Sequence, residues 1–179
     1  ISFTAVCGDK QVAVKLPIPG KFTVYNTMTV LGCALQLGIG LGEAAEALRT
    51  AQGVKGRVEV VPTPGKPYTV LIDYAHTPDA LEQVLKALRK HTSGKLKVLF
   101  GCGGNRDKGK RPIMGQIADE LADEVFVTDD NPRFEDADTI REEIMAACPK
   151  GVNIKDRAEA IKIAIDSLHQ GDVLVLAGK

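Results

Sequence analysis

No excess of charge of either sign runs through this chain of 179 residues, in which 23 lysines and arginines balance 23 aspartates and glutamates. That neutrality excludes the face-wide positive field by which bulk nucleic-acid or membrane-surface binding works. Apolar runs of membrane-spanning length are missing, and no secretory hydrophobic stretch opens the chain. Paired cysteines are missing too. Cys7, Cys33, Cys102 and Cys148 are dispersed without a Cys-x-x-Cys, which fits a reduced cytoplasmic protein better than a disulfide framework or a zinc site. The first residue is Ile1 rather than Met, and Lys179 follows a strand-like run with no helix after it. Truncation at both ends is therefore the expectation.

What is present falls into two regimes. Up to Gly56, strand-like alternation (Phe3 to Val6, Val12 to Leu16) is broken by a turn at Pro17-Ile18-Pro19-Gly20. Two helices follow, with Val30, Ala34 and Leu37 on one apolar face, Ala44, Leu48 and Ala51 on the other, and the Gly38 to Gly42 run between them. These strands are too few to close a sheet, so residues 1–56 read as the tail of a larger domain. From Arg57 onward, strand, loop and helix repeat. Val58–Val61, Thr69–Ile72, Lys97–Phe100, Val125–Thr128, Val152–Ile154 and Asp172–Ala177 are the strands. Helices between them carry Leu81, Val84, Leu85 and Leu88; then Ile113, Ile117 and Leu121 after a start at Pro112; then Ile140, Ile144 and Cys148; then Ala158, Ile161, Ile165 and Leu168. This alternation predicts an α/β domain over residues 57–179 with a largely parallel sheet.

Polar strings gather where strands end, the edge at which open α/β sheets bind ligands. Gly104-x-x-x-x-Gly109-Lys110 has most of a phosphate-binding P-loop, but Arg111 stands where a hydroxyl must meet magnesium. A glycine-rich loop bringing Arg106 to an anion is the better reading, against a solvated charged turn. Asp129-Asp130-Asn131-Pro132-Arg133 is good turn chemistry, with Asp136 able to cap the next helix. Arg133 at its tip could also grip a carboxylate bidentately, as lysine cannot. If the two preceding strands are neighbours, Arg106 and Arg133 converge. Asp73-Tyr74-Ala75-His76-Thr77-Pro78 ends another strand; Asp73 could accept ribose hydroxyls and Tyr74 or His76 could pack on a nucleotide, while capping of the next helix explains Asp73 and Thr77 equally well. By the same local logic Asn26 caps the helix after it, and Arg57 is a surface charge.

Taken in order, these strings resemble the Mur ligases, and among them the type that adds the third residue of the peptidoglycan stem peptide. Gly20 to Asn26, Val54 to Arg57, Asp73 to Asp79, Gly101 to Pro112, Asp129 to Arg133, Asp156 to Ala160 and Ala177-Gly178-Lys179 carry the resemblance. It implies a Rossmann-like carboxyl-terminal ligase domain over residues 57–179, preceded by the end of the central ATP-binding domain over residues 1–56. It further implies an ATP site with Asn26 on adenine and Arg57, Asp73, Tyr74 and His76 near the ribose and phosphates. A meso-diaminopimelate site with Arg106, Asp130, Asn131, Pro132, Arg133 and Gly178 is implied as well.

In that family the Asp-Asn-Pro-Arg string accompanies a choice of diaminopimelate over lysine. Physically, lysine lacks the distal carboxylate and would leave a buried arginine unpaired, at a cost of roughly 2 to 5 kcal/mol. The implied activity is ATP-dependent amide-bond formation between meso-diaminopimelate and a UDP-linked muramoyl dipeptide through an acyl phosphate, with Mg2+. The family's P-loop, carbamylated lysine and metal ligands would precede Ile1, and its Gly-His-Glu would follow Lys179. The chain alone is therefore expected to be inactive, with no catalytic residue or metal ligand of its own, and to be monomeric with small-molecule partners. A lysine-adding or polyglutamate-adding ligase and a non-catalytic Rossmann-like module are the alternatives.

Overall fold

Period-two alternation in the first fourteen or so residues becomes a β-hairpin in the computed structural model, which describes residues 1–18 and 20–178. Pro19 of the expected turn and Lys179 of the last string lie outside those residues. The chain forms two compact units, Ile1–Val54 and Lys55–Lys179.

In the first unit, β1 (Ser2–Cys7) and β2 (Lys10–Lys15) pair antiparallel. Their two-residue loop uses Gly8 at φ 58°, a conformation cheap only for glycine. Helices α1 (Lys21–Gln36) and α2 (Leu41–Ala47) bury Leu31, Leu41, Ala44 and Ala45 with Ala5, Val14 and Leu16 of the hairpin segment. The inward face of α1 differs from expectation. Thr23, Thr27 and Leu31 are buried, whereas Val30 and Leu37 are 50% and 79% exposed. Two threonines occupy the buried stripe, and a search for apolar periodicity passes over them. Similarly, α2 begins within the glycine run, with Gly40 as its N-cap, so Leu41, Ala44 and Ala45 point inward.

The second unit is a six-stranded sheet in the order β3-β4-β8-β5-β6-β7, formed by Glu59–Val61, Thr69–Asp73, Val173–Ala177, Leu96–Phe100, Glu124–Thr128 and Val152–Ile154. Only the β3 edge runs antiparallel; the other pairs are parallel. Every residue of β5 is buried, as a central parallel strand covered on both faces requires. Helices α3 (Pro78–Arg89), α4 (Lys110–Leu121) and α5 (Ala137–Met145) pack in succession on one core with Leu81, Leu85, Met114, Ile140 and Ile144, while α6 (Arg157–Asp166) buries Ala160 and Ala164 in a second.

Two of the expected caps form. The Thr77 hydroxyl accepts the Ala80 N–H with Pro78 at the first helical position, and Asp136 accepts the Thr139 N–H. Two helical faces match expectation in part, with Ile117 and Leu121 of α4 packed on the core as expected. α4 starts at Lys110 rather than Pro112 and turns Arg111, Met114 and Ala118 inward, leaving Ile113 49% exposed. A buried arginine fills an inward position that apolar periodicity assigns elsewhere. In α6 Ala160 and Ala164 are buried, the expected Ile161 and Ile165, and Leu168 just after the helix, pack partly buried against the same core, and Ala158 is exposed. Among the described residues, no helix is long and apolar enough to cross a membrane.

Candidate functional site

Strand order decides what can meet. The carboxyl ends of β4, β8, β5 and β6 lie side by side, so the segments after Asp73, Ala177, Phe100 and Thr128 share one edge of the sheet. They enclose a cavity of about 560 Å3, within the range of small-molecule sites. Arg106, Asp130, Asn131, Arg133 and Gly178 line it, as do Tyr74 and His76. β5 and β6 are parallel neighbours, which is why the two arginines converge.

The loops after β5 and β6 interlock through the backbone. The Gly104 N–H donates to the Asn131 carbonyl at 2.9 Å, and a Cβ on Gly104 would stand 1.8 Å from the Pro132 oxygen. Only glycine permits that approach. Asn131 accepts the Arg133 N–H through its side chain at 3.1 Å, and Asn105 accepts the Phe134 N–H at 3.0 Å. Asn105 and Arg133 hold φ of 50° and 52°, a region that non-glycine residues rarely occupy. The Arg133 guanidinium is half in this scaffold: its Nη1 donates to the Gly104 carbonyl at 2.6 Å. Pro132 acts through its backbone and does not line the cavity.

The glycine-rich loop is not a phosphate cradle. A P-loop turns successive N–H groups toward its ligand. Here the Gly104 N–H goes to Asn131, that of Asn105 to the Glu135 carboxylate, and that of Gly109 to Asp107. Arg111, at the position of the missing hydroxyl, is fully buried in ion pairs with Glu135 and Glu143. By contrast Arg106 is exposed and has no hydrogen-bond or ion-pair partner among the described residues.

The other candidates are placed less directly. The Arg57 guanidinium lies 4.4 Å over the Tyr74 ring, and that ring meets His76 edge-on at 4.7 Å. Asp73 is buried beneath them. Its two oxygens accept the N–H groups of Val58 and Ala75, each at 2.8 Å, and its carbonyl accepts the Gly178 N–H at 3.0 Å. It therefore shapes the turn and seats Gly178. Asn26 is not a cap, because α1 begins at Lys21 behind Gly20; it sits exposed within the helix, in the first unit.

Sequence reasoning missed Lys110, Thr77 and Asp107, which also line the cavity. Lys110 reaches back to the His76 carbonyl at 2.6 Å and ties α4 to the segment after β4. Its place at the end of the glycine-rich loop was the available signal. Below the cavity, Arg157 donates to the Ala177 carbonyl at 3.0 Å and the Asp129 carbonyl at 3.4 Å. Burial lowers its pKa, against the pull of Asp130. Among the described residues no three His, Cys, Asp or Glu side chains gather as a metal would need.

Comparison with known proteins identifies the family. The family described as Mur ligase, glutamate ligase domain, matches residues 56–179. The chain belongs to the Mur ligase family. Among its relatives are UDP-N-acetylmuramoyl-L-alanyl-D-glutamate–2,6-diaminopimelate ligases of Agrobacterium fabrum, 50% identical over 93% of this chain and 34% of the relative, and of Rhizobium meliloti, 49% identical over 96% and 35%. A solved structure of a ligase so named is 40% identical with a TM-score of 0.69, covering 99% of this chain and 37% of that one. The UDP-N-acetylmuramate-alanine ligase MurC of Thermotoga maritima, 25% identical, gives a TM-score of 0.75 over 96% of this chain and 37% of that one. The chain thus spans about a third of the length of the curated Mur ligases it matches.

Proposed function

We propose that the full-length protein joins meso-diaminopimelate to the glutamate of UDP-N-acetylmuramoyl-L-alanyl-D-glutamate, and that the cavity between the loops after β5 and β6 holds the diaminopimelate. One observation carries this: Arg106 and Arg133, from neighbouring strand ends, line a single cavity together with Asp130 and Asn131. Two guanidinium groups suit a ligand with two carboxylates. The Asp130 carboxylate, half-buried beside them, suits an ammonium. Relatives named for the same reaction support the assignment.

In this reaction ATP phosphorylates the glutamate carboxylate, giving ADP and an acyl phosphate. The diaminopimelate amine, having lost its proton, attacks the carbonyl carbon and phosphate leaves. The residues of this chain orient the amine, the positioning contribution that such reactions depend on. Arg57, Tyr74 and His76 form an aromatic and cationic face suited to a nucleotide. Asp73 can add a ribose contact only with lone pairs left over from its two backbone partners. Asn26 is proposed to reach adenine from the first unit, which we read as the end of the central ATP-binding domain. By resemblance to the family, Mg2+ and the phosphate-binding groups are assigned to the rest of the protein, and the chain alone should not turn over. A cytoplasmic monomer acting on small molecules completes the proposal.

The test is ADP release by the full-length protein with each amino acid in turn. Turnover with meso-diaminopimelate and little with lysine supports the proposal; equal or better turnover with lysine sinks it.

A further inference from the structure

The two cationic walls of the cavity come from different loops, and one carboxylate joins them. Glu135 follows the loop that carries Asn131 and Arg133. It accepts the main-chain N–H of Asn105, the residue before Arg106 in the other loop. It also receives Nη1 and Nη2 of Arg111 at 3.1 Å, and Lys108 at 3.0 Å. Arg111 is fully buried on α4, and its second carboxylate partner is Glu143 of α5 at 2.7 Å. The Arg111 Nε finds no hydrogen-bond partner among the described residues. Compensation of this buried charge therefore rests on the two glutamates.

Asn105 and Arg133, the left-handed residues of the two loops, flank this carboxylate. Conformations of that kind persist where their surroundings over-determine them. The Asn105 N–H bond to Glu135 and the Phe134 N–H bond to Asn105 close a ring that runs from one loop to the other and back. Hydrogen bonds from Arg111, then from the Asn105 N–H and Lys108, hold the Glu135 carboxyl at about 2, so the clasp stays charged at any physiological pH.

We propose that Glu135 is a positioning residue for the amino-acid cavity: through Asn105 and buried Arg111 it holds the Arg106 loop in register with the Arg133 loop. This rests on the assignment of the cavity to the amino acid. Without the clasp the two loops lose their fixed register, and a ligand gripped from both must pay to restore it.

The experiment is steady-state kinetics of the full-length protein carrying Glu135→Gln, and separately Glu135→Asp. Glutamine keeps the shape but loses the charge; aspartate keeps the charge but draws the carboxylate back by one methylene. In both, KM for meso-diaminopimelate should rise roughly tenfold or more, while KM for ATP and for the UDP-dipeptide stays within about twofold. Amide hydrogen exchange at Asn105 and Phe134 should quicken in both variants. Arg133→Ala serves as the control. If that variant leaves the diaminopimelate KM unchanged, the cavity has been misassigned, whatever Glu135 does. If Arg133→Ala raises it and both Glu135 variants do not, the positioning role is overturned. Equal rises in all three KM values overturn it as well, since they would report a general loss of structure.

Discussion

Arg133→Ala should erode the preference for meso-diaminopimelate over lysine, and the structure bounds by how much. A fully buried arginine left without its carboxylate would cost about 3–5 kcal/mol. Arg133 is not in that position. It is exposed, and its Nη1 already donates to the Gly104 carbonyl at 2.6 Å. The gain from a distal carboxylate is therefore that of added charge-assisted hydrogen bonds, about 1.5–3 kcal/mol. This overlaps only the lower end of the range that sequence alone suggested. It corresponds to roughly a tenfold to hundredfold change in kcat/KM. The assay is ADP release by the full-length protein at subsaturating amino acid. In the variant, kcat/KM for diaminopimelate should fall by that factor and kcat/KM for lysine should hold. Arg133→Lys should recover only part of the loss, because an ammonium cannot form the fork. An unchanged diaminopimelate value, or an equal fall for lysine, would rule out Arg133 as the grip on the distal carboxylate.

Three further outcomes follow from the same geometry. Gly104→Ala drives a methyl group into the Pro132 oxygen, so thermal melts should show a loss of about 1–3 kcal/mol and diaminopimelate binding should weaken. The Glu135 carboxyl is depressed from 4.5 to about 2; its contribution is complete above the unfolded value and is lost as pH falls through the folded one. The melting-temperature gap between wild type and Glu135→Gln should thus be constant above about pH 4.5 and close toward pH 2. Burial pushes the Cys102 and Cys148 thiols up to about 11, whereas Cys7 and Cys33 are exposed; a thiol reagent at mildly alkaline pH should label the exposed pair first, and mass spectrometry of the labelled peptides checks this.

Much of the second unit was legible because its signals are local. Alternating strands and helices, the Thr77 and Asp136 caps, and polar strings at strand ends each follow from a few adjacent residues. What escaped depends on partners distant in sequence. Arg111 reads as a surface cation until Glu135 and Glu143, 24 and 32 residues away, are brought to it. Thr23 and Thr27 read as polar until the hairpin unit buries them. Strand order was the decisive missing fact: β8, last in sequence, inserts between β4 and β5 and so delivers Gly178 to the cavity. Spacing cannot reveal such an insertion. In the glycine-rich loop, Arg111 already argues against a P-loop in the sequence, and the destinations of the loop's N–H groups supply the structural reason.

A crystal structure of the full-length protein with meso-diaminopimelate would show directly whether the cavity holds the amino acid. The amino acid should lie in the cavity between the loops after β5 and β6, with carboxylate oxygens within hydrogen-bond distance of both Arg106 and Arg133 and an amine facing Asp130. Diaminopimelate bound elsewhere, or bound in the cavity without touching either arginine, would contradict it.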